Sequence, residues 1–141
     1  MSRKRVTSKE VLQYVYQRVV ELRDLNFKKS VYNYSMVYFA GTVPALDREC
    51  YVIRHTAGRS GEIQEGVVTV LIYTDPIIAQ SDGRLMEDMK RTRKIERAAQ
   101  DWVESLPTGE YLFWSDDTIQ TDYDPEAGLY FTSVRLKYRH Y

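Results

Sequence analysis

The sequence predicts an α+β domain, a mostly antiparallel β-sheet with an N-terminal helix and one long helix packed on it. Three observations predict it. Near the C-terminal end, Tyr130, Thr132, Val134, Leu136 and Tyr138 alternate with Phe131, Ser133, Arg135 and Lys137, the period of a strand with two unlike faces. Two other stretches place apolar residues at helical spacing. The order of elements is a helix, three strands, a long helix and two or three further strands, which favours a sheet with helices laid on it over a βαβ repeat.

Thr7 and Glu10 form a capping-box pattern, a hydroxyl at the cap and a glutamate three residues on. Val11, Val15, Val19 and Leu22 then make an apolar stripe widened by Leu12 and Tyr16, so a helix is expected from Lys9 to Asp24. Residues Ser30 to Phe39 are β-rich and aromatic, and Gly41, Pro44 and Asp47 mark the loop after them. Glu49 to His55 reads as a second strand with Cys50, Val52 and Arg54 opposed to Tyr51, Ile53 and His55. A polar loop from Thr56 to Glu65 leads to a third strand, Val67 to Tyr73, whose continuous apolar run predicts burial on both faces. The two strands are expected to pair as a long hairpin.

Asp75-Pro76 and Asp82-Gly83 mark Thr74 to Gly83 as a linker. The long helix is expected from Arg84 to Leu106, its stripe formed by Leu85, Met89, Thr92, Ile95, Ala99, Trp102 and Leu106. Pro107 and Gly109 stop it. Tyr111 to Trp114 is a short aromatic strand and Thr118 to Asp122 another, turning through Asp124, Pro125 and Gly128 into the closing strand. With 141 residues and no repeats, the chain is expected to form a single domain over 1–141, with residues 1–6 a flexible basic N-terminus.

The 20 basic and 20 acidic residues cancel, so no global field argues for nucleic acid or an anionic membrane. The charges are unevenly placed: Arg84 to Arg97 carries six basic residues against three acidic, and Asp116 to Glu126 is purely acidic. A single cysteine, Cys50, excludes an intramolecular disulfide and fits a reducing compartment. No apolar run has the length of a membrane span, and the basic start lacks the apolar segment of a signal peptide.

Catalytic and metal signatures are weak. His55 and His140 are far apart in sequence, and Cys50 and His55 fall on opposite faces of one strand. The acidic run lacks the ligand spacing and central glycine of an EF-hand loop, and the glycines between 58 and 66 lack Walker spacing. Neither an enzyme nor a cofactor is expected. Arg54, His55, Arg59 and Glu62 read as a charged hairpin tip, a common contact device. Arg93 and Arg97 belong to a positive strip on the long helix, with a solvated face as the plainer reading and an acidic neighbour as the functional one. That neighbour could be the Asp116–Glu126 segment of an identical chain, which holds the interface candidates Asp122 and Asp124, and opposite patches on one neutral chain suit head-to-tail rings. Arg135 and Lys137 complete the candidate interface on the mixed aromatic and basic face of the closing strand.

Several segments carry a resemblance: the N-terminal helix, Val31-Tyr32-Asn33-Tyr34, the strand entry Ile63-Gln64-Glu65-Gly66-Val67-Val68-Thr69-Val70, the long helix, and Phe131 to Tyr138. In this layout the chain resembles the tail-terminator (tail-completion) and head–tail joining proteins of tailed bacteriophages and prophages. The resemblance implies a structural virion protein forming a homomeric ring, typically a hexamer. Such a ring caps the head-proximal end of the tail tube, contacts the tube protein and the head connector, and is assembled in the host cytoplasm. It carries over no individual residue role. The alternative is a small nucleic-acid- or protein-binding module using the basic helix at 84–97, although direct nucleic-acid binding is the less expected of the two.

Overall fold

A computed structural model describes residues 5–22, 37–39, 49–59 and 64–141, without the side chains of Ala57 and Arg59. Among the described residues, two helices lie on one face of a six-stranded sheet. The first, α1, runs Ser8–Leu22 and begins with the expected capping box: Thr7 N donates to Glu10 Oε1 (3.1 Å) and Glu10 N to Thr7 Oγ1 (3.3 Å). Its buried residues are Val11, Leu12, Val15, Val19 and Leu22, the predicted stripe. The chain before it is held at Val6, whose backbone exchanges hydrogen bonds with the Gln64 side chain at 3.0 and 2.7 Å. Of the stretch 1–6 expected to be flexible, residues 1–4 lie outside the described residues, as does the strand start expected between Ser30 and Met36.

The sheet contains β1 (Val37–Phe39), β2 (Tyr51–Arg59), β3 (Gln64–Thr74), β6 (Tyr111–Trp114), β7 (Gln120–Asp124) and β8 (Leu129–His140). Its order is β1-β2-β3-β8-β6, with β7 also on β8, and every pairing except β1 with β2 is antiparallel. The closing strand therefore lies inside the sheet. It pairs with β3 from Gln64–His140 to Thr74–Tyr130, while β7 and β6 share its other edge. It runs two residues beyond the predicted end at Tyr138, because Tyr111 pairs with His140.

The even-numbered side chains of β3 and β8 meet the helices: Val68, Val70, Ile72, Val134, Leu136 and Tyr138 are buried in one core with Tyr51, Ile53, Tyr111 and Phe113. Burial on both faces of β3 holds only in part, since Val67, Leu71 and Tyr73 on the opposite face are half-exposed. The loop expected from Thr56 to Glu65 is shorter than its composition implies. Ala57, Gly58 and Arg59 pair with Val67, Gly66 and Glu65 after a bulge at His55/Ala57. Gly58 is a strand glycine rather than loop punctuation, because a Cβ there would lie 3.0 Å from His55 Cε1.

The largest departure precedes the long helix. This helix, α2, is Met89–Ser105, capped by Asp88, whose side chain accepts from Arg91 N. Leu85 and Met86, expected on its stripe, form β5 and pair with Leu85–Ile78 and Met86–Ile77 register against β4 (Ile77–Ile78). Gly83 closes the turn between them, its N donating to Ala79 O (2.8 Å) with φ at +74°, and the supposed linker is a two-stranded ribbon. The rest of the stripe is buried as predicted at Thr92, Ile95, Ala99 and Trp102.

Ribbon and helix are tied to the sheet by one buried ion pair. Arg91 grips Glu49 through both terminal nitrogens, Nη2 to Oε1 at 2.7 Å, and Glu49 Oε2 also accepts from Asp75 N (2.9 Å). The two side chains are only 11% and 15% exposed. Removing one partner of such a pair strands the other charge, so Arg91→Ala should lower unfolding stability by about 3 kcal/mol in urea titrations. The double variant Glu49→Leu/Arg91→Met should lose less than either single alanine variant; equal or larger loss would show that the pair is not what holds this junction.

Candidate interaction surface

The sheet face away from the helices presents its side chains in rows set by the register. Trp114, Lys137 and Val67 form one row, Arg135, Thr69 and Arg54 the next, and Asp122, Phe131 and Tyr73 the last. At the first row Gly58, Glu65, Gly66, Val67, Trp114, Lys137 and Tyr138 line an open depression of about 340 Å³. The Arg139 guanidinium lies 5.4 Å from the Trp114 ring and pairs with Glu65 at 2.9 Å. At the opposite end Tyr73 and Phe131 lie 5.9 Å apart, centroid to centroid.

The candidate residues separate into distinct roles. Arg54 is exposed on this open face, opposite Thr69. His55 is not at a hairpin tip: it points to the helix side, where Nε2 lies 2.8 Å from the Tyr138 hydroxyl. Burial pushes the His55 imidazole below its ordinary value of 6.5 and pushes the Tyr138 phenol up. Tyr111, beside it in the same aromatic cluster, is pushed up to about 12 by burial and then by the Glu110 carboxylate. The Arg59 side chain and Glu62 lie outside the described residues.

Arg135 and Lys137 are engaged within the chain, Arg135 with Asp117 (3.7 Å) and Lys137 with Asp116 (2.8 Å). The lysine hydrogen bond holds the Asp116 carboxyl below the usual carboxylate range. Arg93 and Arg97 are exposed on α2, and they line one groove with Glu96, Asp116 and Asp117 of the same chain. Arg97 also pairs with Asp101 four residues on. The positive strip is thus broken: Arg91 faces inward to Glu49, and acidic groups share the groove with the arginines. Asp124 stabilises a turn, its Oδ1 accepting from Glu126 N and Ala127 N, while Asp122 is exposed on the edge strand β7 near Arg135.

The sequence reading missed the most exposed apolar feature. Ile77, Ile78, Leu85, Met86 and Met89 are all exposed, Ile78 by 67% and Leu85 by 54%. Opposite residues of a ribbon share a face, so Ile77 and Met86 cover one side and Ile78 and Leu85 the other. An isolated two-stranded ribbon is marginally stable in water, and apolar side chains on both of its sides mark a contact surface. The Asp82-Gly83 turn flanked by apolar pairs was its legible signal.

Among the described residues no helix is long and apolar enough to cross a membrane. Nor do three His, Cys, Asp or Glu side chains gather there as a metal ion would require. A scan against protein-family models and a search of curated proteins find no match for the chain.

The His55 shift has a definite sign. Its folded value lies below the unfolded 6.5, so protonation is taken up by the unfolded chain first. The associated stability is fully present above 6.5 and is lost as pH falls through the lower folded value. Thermal melts from about pH 7.5 to about pH 5.5 should show a falling Tm that His55→Gln flattens. A variant with the unchanged pH slope would remove His55 as its source.

Proposed function

We propose that this chain is a structural subunit of a tailed-phage or prophage virion. Copies of it form a homomeric ring, of hexamer type, at the head-proximal end of the tail tube, between tube protein and head connector. The ring assembles in the host cytoplasm and remains in the neck of the virion. The observation that carries an assembly role is the β4–β5 ribbon, which exposes four large apolar side chains on a chain whose helices already cover the other sheet face. The layout of helices and strands described above supports the particular place in the virion by resemblance.

The broken positive strip on α2 gives little support to a nucleic-acid module. Phosphate recognition favours cations gathered without competing carboxylates, and here Asp116 and Asp117 line the same groove.

The test is direct. The purified chain should give a closed oligomer by size-exclusion chromatography with light scattering, or rings at one end of tail tubes by negative-stain electron microscopy. A stable monomer that binds neither tail tubes nor connector protein would overturn the proposal.

A further inference from the structure

The exposed ribbon and the Trp114 depression lie at opposite ends of the sheet. Val67, in the depression, is seven residues from Thr74, where β3 ends just before the ribbon begins. At the rise of an antiparallel strand this is about 24 Å. The two features cannot meet within one chain.

They are complementary in kind. The ribbon offers branched and flexible apolar side chains, and the depression offers an indole and a valine beside Gly58 and Gly66, with Glu65, Lys137 and Tyr138 completing its lining. Their surroundings carry opposite charge. Among the described residues Asp75, Glu87 and Asp88 flank the ribbon in sequence and Asp82 is paired with Arg84 at its turn, whereas Lys137 and Arg139 border the depression beside Glu65, with Arg135 and Arg54 in the next row. Lys137 and Arg139 are engaged in exposed pairs, with Asp116 and Glu65. Exposed pairs of this type contribute little in water, so the two cations can turn to a new acidic partner at small cost.

We propose that the β4–β5 ribbon of one copy seats in the Trp114 depression on the open sheet face of the next copy. The contact is heterologous, joining two different patches, and therefore runs head to tail. It rests on the reading that copies of this chain assemble, and it names the surfaces that do so. Ile78 and Leu85 on one side of the ribbon, or Ile77 and Met86 on the other, meet Trp114 and Val67. The acidic residues flanking the ribbon meet the basic border of the depression.

The experiment uses two single-cysteine additions to the full chain, Ile78→Cys and Val67→Cys, with a short bis-maleimide cross-linker. Native Cys50 is buried and serves as the unreactive background. An equimolar mixture should yield a cross-linked dimer that neither protein gives alone. The chain carrying both cysteines should yield a ladder of linked copies. Ile78→Asp and Trp114→Ala should each weaken self-association at least tenfold, with unchanged thermal melts showing that the fold persists. Cross-linking of Ile78→Cys with itself would indicate a two-fold ribbon-to-ribbon contact and overturn the inference. An oligomer that forms without the mixed cross-link overturns it too, while leaving the ring reading in place. Mixed cross-links in a chain that never binds tail tubes uphold this contact and remove the virion reading. A monomer up to its solubility limit overturns the contact.

Discussion

The pairing of β3 with β8 is the constraint on which the rest of the molecule depends. It runs unbroken over eleven residue pairs and places β8 inside the sheet, with β6 and β7 on its far edge. A slip of one residue would turn Val134, Leu136 and Tyr138 away from the helices and bring Arg135 and Lys137 into the core. Burying those charges without partners costs far more than the lost packing, so the register is strongly specified. Everything on the open face follows from that register, including the row that brings Trp114, Lys137 and Val67 together.

Polar groups inside the two-layer body refine what the apolar pattern leaves loose. Glu49 binds Arg91 of α2 and the backbone at Asp75, joining three segments distant in sequence. Beneath α2, the Thr121 hydroxyl lies 2.7 Å from Glu96 and 2.8 Å from the buried Thr132 hydroxyl, linking helix, edge strand and central strand. His55 and Tyr138 tie β2 to β8 across β3. Such contacts add modest net stability but penalise alternatives, because any other packing leaves a buried donor or acceptor unmet. Apolar burial brings the layers together, and these bonds select one arrangement of them.

What was legible in the sequence follows the same division. The α1 stripe, the Tyr111–Trp114 strand and the alternation along β8 are set by local periodicity, and each matches the structure. Boundaries failed where a residue type has two meanings. Gly58 looked like a loop marker but pairs with Gly66 inside the sheet and leaves room for the His55 ring. Leu85 and Met86 continue the helical stripe in spacing, yet the Asp88 cap starts α2 after them and leaves them in the ribbon. Arg91 read as one more cation on an exposed strip, since its partner Glu49 is 42 residues away and no local pattern announces it. The interface candidates suffered from the same blindness: Arg135 and Lys137 find Asp117 and Asp116 only through the fold.

The junction at Glu49 also bears on how copies could close on one another. In any head-to-tail assembly, the number of subunits is decided by the angle between the two contact patches on one chain, and a small change of angle turns a ring into a helix. Here one patch would be carried by the ribbon and the other by the sheet. Among the described residues, the Glu49–Arg91 pair together with the Asp75 backbone bond joins the ribbon's base to the sheet and to α2. A buried bidentate pair fixes orientation more tightly than an apolar contact, because its hydrogen bonds tolerate little rotation. Its energetic cost is thus matched by a geometric role that a leucine and a methionine of similar volume would not fill. In such an assembly the ion pair would bear on closure as well as on stability.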